Sequence, residues 1–302
     1  MGRHLSATFA CGAVALAAGL TGGCSTTNTD LGADGKLVVA VAFYPIEDIV
    51  RAVGGDQVHI ITVVPPGEDA HEYEPTPKQV TRLEQADVMF YLGGGFQPSV
   101  EQALGVLPNH VTIIDLTAPL RHLQLGEGND PHVWMDPANM QRMAQQVLAV
   151  LAEQDSVRVD TFNRRASAYI ESLDGLDHEF RAGLARCTTT ALVTGHEAFG
   201  YLAHAYGLTQ VPISGISPGA EPSAKALEQV ATSVREDHVR TVFFEQNLPP
   251  DLARTVADET GAATSALNTL ETLSRDELSA GLDYVRAMRA NLSALRAGLG
   301  CA

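Results

Sequence analysis

Short valine- and isoleucine-rich runs alternate along this 302-residue chain with stretches whose apolar residues recur every three to four positions. The runs are residues 36–45, 58–66, 87–94 and 111–116, followed by 188–195, 208–213, 240–246 and 262–267. Buried strands that alternate with helices form parallel sheets covered by helices on both faces. The pattern therefore predicts an α/β fold with two doubly wound lobes of mainly parallel sheet, in residues 36–136 and 187–302.

The segment between the two lobes, residues 137–186, contains no strand pattern. Asp136 followed by Pro137 is a favourable helix start, because the carboxylate caps the first N–H groups and proline suits the first helical position. A second helical stretch follows, and about 30 helical residues extend roughly 45 Å. We therefore expect a long rigid helix that joins the lobes, with Gly175 and Gly183 as the weak points of its continuity.

The N-terminus has the features of an export signal. Arg3 precedes an apolar run that is shorter than the roughly 18 to 20 residues needed to span a bilayer. The small residues before Cys24 resemble the lipobox of bacterial lipoproteins, although Thr21 stands where leucine is usual. We expect residues 1–23 to be a signal peptide and residues 24–35 a tether lipidated on Cys24, which anchors the protein on the extracytoplasmic face of the cell membrane. A secreted protein without a lipid is the alternative.

Two cysteines remain in the folded part of such an exported chain, Cys187 and Cys301. An extracytoplasmic compartment allows a disulfide to persist. We expect these two residues to pair, which would join the C-terminal end to the start of a strand. Two buried free thiols are the alternative.

Three of the ten histidines lie where this fold places its ligand sites. His71 follows the second strand in a loop bounded by prolines, and His132 lies between two Asp-Pro pairs just before a helix. His196 directly follows the first strand of the second lobe. Ligands of doubly wound sheets bind at the carboxyl ends of the strands. We therefore expect the three imidazoles to converge in the cleft between the lobes and to bind a divalent ion, zinc above all.

Four stretches of the chain resemble the zinc- and manganese-binding solute-binding proteins of bacterial ABC transporters. They are PGEDAHEYEPTP, DPHVWMDP, HEAFGYLAHAYGL and GISPGAEPSAKAL, and the resemblance covers roughly residues 36–300. It implies two lobes joined by a long helix, with the metal at their interface and His71, His132 and His196 as its first three ligands. It also implies a receptor that catalyses no reaction and delivers its ion to an ABC permease in the membrane. We expect it to act as a monomer.

The resemblance also bears on the metal and its fourth ligand. Manganese-type members tend to have a carboxylate at the third ligand position, where this chain has His196, so zinc is favoured and manganese is the alternative. The family often has an aspartate near the C-terminus where this chain has Asn268, and an amide oxygen is a poor zinc ligand. The candidates for the fourth ligand are water, Asn268, Glu271 and Glu245.

Two other function classes compete with the receptor, an exported zinc hydrolase and a structural or adhesive protein stiffened by its metal. Many zinc hydrolases use a His-Glu-x-x-His helix, but Pro75 and Gly200 occupy the second histidine position after His71 and His196. A structural site keeps its ion, whereas a transport receptor must release it. Nucleic-acid binding is disfavoured by the formal net charge of −16, because phosphate backbones require basic surfaces.

Overall fold

The computed structural model describes residues 1–2, 32, 34–125, 128–217, 219 and 221–302. Cys24, the rest of the predicted signal peptide beyond residue 2 and most of the predicted tether lie outside the described residues. Within the described ranges, no helix combines the length and the apolar composition that a bilayer crossing requires.

The first sheet has four parallel strands in the order β2-β1-β3-β4. These strands are β1 (Leu37–Val41), β2 (Val58–Thr62), β3 (Val88–Tyr91) and β4 (Thr112–Asp115). The helices between them are α1 (Tyr44–Gly54), α2 (Pro77–Leu83) and α3 (Pro98–Leu104). The central strand β1 is almost wholly buried, because helices cover both faces of a parallel sheet. An antiparallel hairpin of β5 (Gln124–Leu125) and β6 (Gly128–Asn129) follows, which was not predicted because two-residue strands carry no periodic pattern.

Two helices without an intervening strand lead to the second sheet. They are α4 (Pro137–Gln154) and α5 (Val159–Leu184). As predicted, the Asp136 carboxylate caps α4 by accepting the N–H of Ala138 at 2.9 Å. The 26 residues of α5 extend about 39 Å at 1.5 Å per residue. α5 contacts α1 of the first lobe and the C-terminal helix of the second, so it braces both lobes.

Neither glycine of α5 interrupts the helix. A Cβ on Gly175 would meet no atom within 4 Å, so alanine would fit there equally well. A Cβ on Gly183 would lie 3.1 Å from side-chain atoms of Leu292 and Arg296 on the C-terminal helix. Glycine at this position therefore allows the two helices to approach closely.

The second sheet repeats the architecture of the first, with four parallel strands in the order β10-β9-β7-β8. The strands are β7 (Ala191–Thr194), β8 (Thr209–Pro212), β9 (Thr241–Glu245) and β10 (Ala263–Leu267). The helices between them are α6 (Gly200–Tyr206), α7 (Ala224–Glu236) and α8 (Asp251–Thr260). The predicted α/β fold class, with two parallel sheets joined by a long helix, is confirmed.

The C-terminal region differs from the single helix that the pattern predicts over residues 275–298. Two helices are present, α9 (Arg275–Ser279) and α10 (Tyr284–Leu299). Gly281 has a φ of +74°, which an α-helix excludes, and Asp283 starts α10 afresh by capping the N–H of Arg286 at 2.8 Å. Beyond α10, the structure joins Cys301 to Cys187 by a disulfide.

One hydrophobic cluster extends through both lobes. It includes apolar side chains of β1 and α1 in the first lobe, of the linking helices α4 and α5, and of α6 and α10 in the second. A smaller cluster packs α7 and α8 against the second sheet. The linking helices α4 and α5 therefore share one hydrophobic core with both sheets, between whose strand ends the cleft lies.

Candidate metal site

Four side chains from four separate loops converge in the cleft between the two sheets. His71 lies between β2 and α2, and His132 precedes a short 3₁₀ turn at the start of α4. His196 follows β7, and Glu271 lies in the loop after β10. One ligand atom from each of these residues lies within 4.8 Å of the other three. The predicted convergence of three histidines therefore includes a carboxylate as well.

The distances between these atoms suit a small four-coordinate ion. Glu271 Oε1 lies 3.3 Å from Nε2 of His196, 3.6 Å from Nε2 of His71 and 3.7 Å from Nε2 of His132. Zinc bonds of 2.0–2.1 Å in tetrahedral geometry separate ligand atoms by about 3.3–3.4 Å. The three distances from Glu271 are close to this separation, and all four atoms lie within 4.8 Å of one another, so a modest contraction of the cluster would enclose zinc.

The same four atoms are buried, and none of them has a hydrogen-bond partner among the described residues. His132 and His196 are 0% and 1% exposed, and Glu271 is 7% exposed. Buried polar atoms are normally paired, because an unpaired one forfeits its hydration without compensation. Four unpaired atoms directed at one point indicate a site shaped for a ligand that takes an electron pair from each, as a metal ion does.

Charge in the cluster also favours a cation. Burial raises the pKa of Glu271, but the neighbouring imidazoles of His196 and His71 outweigh burial and hold this pKa well below its usual range. Burial lowers the pKa of His196, but Glu245 and Glu271 outweigh it and raise the pKa to about 9. No lysine or arginine of the described ranges forms an ion pair with Glu271. A proton on an imidazole or a bound metal ion must therefore balance the carboxylate.

Two buried carboxylates contact two of the histidines at Nδ1, the ring nitrogen that does not face the cluster. Asp130 Oδ1 accepts the backbone N–H of His132 at 2.9 Å and lies 2.8 Å from its Nδ1. Glu245 Oε1 accepts the backbone N–H of His196 at 2.8 Å and lies 3.0 Å from its Nδ1. A carboxylate can only accept, so Nδ1 carries a proton in both rings and Nε2 is the nitrogen that faces the cluster, where it offers a lone pair once the ring is neutral.

Comparison with known proteins shows the family to which the chain belongs. The family model described as "ZnuA: Zinc-uptake complex component A periplasmic" matches residues 39–298. The chain belongs to the ZnuA family. The resemblance inferred from the four sequence stretches is thereby confirmed.

Named relatives of this ZnuA-family chain are zinc-binding proteins. The zinc-binding lipoprotein AdcA of Streptococcus pneumoniae serotype 4 is 35% identical over 280 residues, which cover 87% of this chain and 56% of AdcA. This chain therefore spans little more than half of that relative. The high-affinity zinc uptake system protein ZnuA of Bacillus subtilis is 33% identical over 304 residues, or 93% of this chain and 94% of that protein. The crystal structure of the Zn(II)-bound ZnuA-like domain of Streptococcus pneumoniae AdcA matches with a TM-score of 0.78 and 36% identity, covering 88% of this chain and 99% of that domain.

The loop that carries His71 is fixed at its flanks. Asp69 Oδ1 accepts the N–H of His71 at 2.8 Å, and the buried Gln97 amide donates to the Ala70 carbonyl at 3.0 Å. The His71 ring meets the Phe96 ring edge to face at a centroid distance of 4.7 Å. Packing and backbone contacts therefore orient His71, and no carboxylate of the described residues bonds its Nδ1.

The loop that carries Glu271 depends on Asn268. The Asn268 side-chain oxygen accepts the N–H of Leu270 at 2.7 Å, and its backbone exchanges hydrogen bonds with the Asn291 side chain at 2.7 and 2.8 Å. Leu270 has a φ of +60°, a conformation that leucine rarely adopts. Trp134 Nε1 also donates to the Thr269 carbonyl at 2.7 Å. Asn268 therefore shapes this loop, and its side-chain oxygen is engaged by the backbone of Leu270.

The structure brings together all three predicted histidines and adds Glu271, one of the side chains considered for the remaining position. Glu245 instead bonds His196. Sequence reasoning missed Asp130. Its position two residues before His132 was the available signal, because an aspartate there can bond the N–H two residues on.

Proposed function

We propose that this protein is an extracytoplasmic receptor that captures Zn²⁺ and delivers it to an ABC permease for uptake. The observation that carries the proposal is the convergence of four buried, unpartnered ligand atoms, three imidazole nitrogens and one carboxylate oxygen. Family membership and the zinc-binding names of its relatives support the same function. In this proposal His71, His132, His196 and Glu271 are the ligands, and the protein acts as a monomer.

Zinc suits this donor set better than manganese does. Imidazole nitrogen is a preferred zinc ligand, and zinc favours four ligands in tetrahedral geometry. Manganese sites are richer in oxygen ligands and tend toward octahedral coordination. A site with three imidazole nitrogens and one carboxylate oxygen therefore favours zinc, and manganese remains the alternative cargo.

A zinc hydrolase is less well supported by the same geometry. Catalytic zinc sites keep one coordination position open for water, whereas four protein ligands close this one. Residues 215–219 do read Gly-Ile-Ser-Pro-Gly, which matches the letters of a hydrolase nucleophile elbow. That elbow requires a tight turn from strand to helix, but β8 ends at Pro212 and α7 begins only at Ala224.

Attachment to the membrane is part of the proposal. Residues 1–23 would be removed as a signal peptide, and Cys24 would receive the lipid that holds the receptor beside its permease. Residues 24–35 would then serve as the tether. Mass spectrometry of the protein recovered from membranes should detect the lipid on Cys24, and a Cys24→Ser variant should appear in the medium instead. Both measurements test membrane attachment independently of metal binding.

The decisive experiment is a competitive titration of the metal-free folded domain with zinc and manganese at neutral pH, followed by metal analysis of the recovered protein. We expect one tightly bound zinc that resists excess manganese and exchanges with a chelator. A triple variant, H71A/H132A/H196A, should lose this binding but keep its fold, since the three rings come from loops and none lies in a helix or strand. Tight zinc binding by the triple variant would refute the site.

A further inference from the structure

Asp130 and Glu245 contact their histidines in the same way, although they come from different parts of the chain. Each uses one carboxylate oxygen to bond both the backbone N–H and the ring Nδ1 of a single histidine. Asp130 is two residues from His132, whereas Glu245 is 49 residues from its partner. The repeated arrangement fixes the ring relative to its own backbone, so both the position and the rotation of the imidazole are determined.

Each carboxylate also lies directly against a glycine. A Cβ on Gly200 would overlap Oδ2 of Asp130, and a Cβ on Gly195 would overlap Oε2 of Glu245. Neither glycine has a positive φ, so conformational freedom does not explain them. Their absent side chains instead provide the space in which the second oxygen of each carboxylate lies.

We propose that Asp130 and Glu245 are positioning residues for zinc capture, and that Gly200 and Gly195 exist to admit them. This inference rests on the proposed function. Each carboxylate keeps the proton on Nδ1, turns the Nε2 lone pair toward the ion, and makes the imidazole a stronger electron donor. His132 and His196 are thus pre-oriented before zinc arrives.

His71 lacks this support, since no carboxylate of the described residues bonds its Nδ1. The site consequently has a firm half, formed by His132 and His196, and a more adaptable half that includes His71. Metal affinity should depend strongly on the two carboxylates even though neither touches the ion.

The test compares substitutions that remove the bond, the charge or both. Glu245→Leu removes both, whereas Glu245→Gln keeps an acceptor oxygen. Glu197→Gln is the matched control, because Glu197 neighbours His196 and interacts with its charge but makes no side-chain hydrogen bond among the described residues. Zinc affinity is measured by competition with a chromogenic chelator, and coordination geometry by the visible absorption of the Co²⁺-loaded protein.

We expect Glu245→Leu to weaken zinc binding by about 10- to 100-fold, the usual effect of removing such a partner. Glu245→Gln should fall between this variant and the parent, and Glu197→Gln should match the parent. The Co²⁺ spectrum should change in Glu245→Leu, because a freed ring alters the ligand field. Asp130→Asn and Asp130→Ala should repeat the series at His132. An affinity and a Co²⁺ spectrum unchanged in Glu245→Leu would overturn the inference.

Two measurements distinguish a failure of the positioning role from a failure of the proposed function and from misfolding of a variant. If the parent itself binds no zinc tightly, the proposed function fails before the positioning role is tested. Thermal unfolding of each metal-free variant shows whether it folds, and if Glu245→Leu does not, Gly195→Ala provides a second route. Alanine there should displace the carboxylate without removing it, and so should weaken zinc binding and alter the Co²⁺ spectrum. Parent-like behaviour of Gly195→Ala would count against the inference.

Discussion

Glu271→Gln provides the sharpest single test of the fourth ligand. The substitution preserves shape but replaces a charged oxygen, 3.3–3.7 Å from three imidazole nitrogens, with a neutral amide. Loss of a residue that only supports a ligand typically costs 10- to 100-fold in metal affinity. Loss of a ligand should cost at least as much, so we expect zinc binding to weaken by about 100-fold or more.

This change in affinity predicts a change in zinc-dependent stability. At a zinc concentration 1,000 times the parent's Kd, binding stabilises the parent by about 4.1 kcal/mol. A 100-fold weaker variant has ten times its Kd available and gains only about 1.4 kcal/mol. At roughly 2–4 °C per kcal/mol for a chain of this size, zinc should raise Tm by about 8–16 °C in the parent and about 3–6 °C in the variant.

Calorimetry with and without zinc measures both shifts, and the difference within each variant cancels any effect of the substitution on the metal-free protein. Glu68→Gln is the matched control, because it removes a nearby exposed carboxylate that is not part of the cluster. It should show the shift of the parent. If Glu271→Gln also shows the full shift, Glu271 is not a ligand and the closed four-ligand site is refuted.

Three further predictions concern the surroundings of the site. Serine at both Cys187 and Cys301 should lower the free energy of unfolding by about 2–5 kcal/mol, because the disulfide closes a loop with a sequence separation of 114, and denaturant unfolding measures the loss. Thr272→Val removes the 2.7 Å hydrogen bond from the Gly67 N–H, which joins two loops beside the site. The loss of about 0.5–1.5 kcal/mol should speed zinc dissociation roughly 2- to 13-fold in stopped-flow chelator assays. A dissociation rate unchanged from the parent would exclude this contact as a restraint. Zinc affinity should fall as pH drops below about 9, because Glu245 and Glu271 raise the pKa of His196 to about 9 and a proton then competes for its Nε2. Titrations between about pH 6 and pH 10 that show no such loss would exclude His196 as a ligand.

Much of the fold could be predicted because it depends on local patterns. All eight strands of the two sheets lie within predicted runs. The signal is clearest for the central strands β1, β3, β7 and β9, since a strand buried on both faces must be continuously apolar. The start of α4 was equally clear from Asp136 and Pro137. The break at Gly281 was missed, because apolar residues continue the helical period across it and only the backbone conformation shows the turn.

The site was predictable to a different extent for each residue. His71, His132 and His196 could be found because strand-end loops of this fold meet in one cleft, so position alone indicated convergence. Glu271 could not be separated from Asn268, since the direction of its side chain depends on the turn that Asn268 and the unusual φ of Leu270 impose. That turn is a tertiary feature with no periodic signal. Glu245 could not be assigned to His196, since their contact depends on the pairing of β9 with β7.

The division of the site into a firm and an adaptable half bears on how a receptor can both hold and release zinc. His132 and His196 are 0% and 1% exposed, and Nδ1 of each bonds a buried carboxylate, so rotating either ring away from the ion would break a hydrogen bond to a charged group. His71 and Glu271 lie in the loops that the Gly67–Thr272 hydrogen bond joins. No carboxylate of the described residues bonds Nδ1 of His71, so turning that ring breaks no such bond and is less costly than freeing either supported ring. Release should therefore begin at the loops of His71 and Glu271, and His132 and His196 should remain in place to receive the next ion.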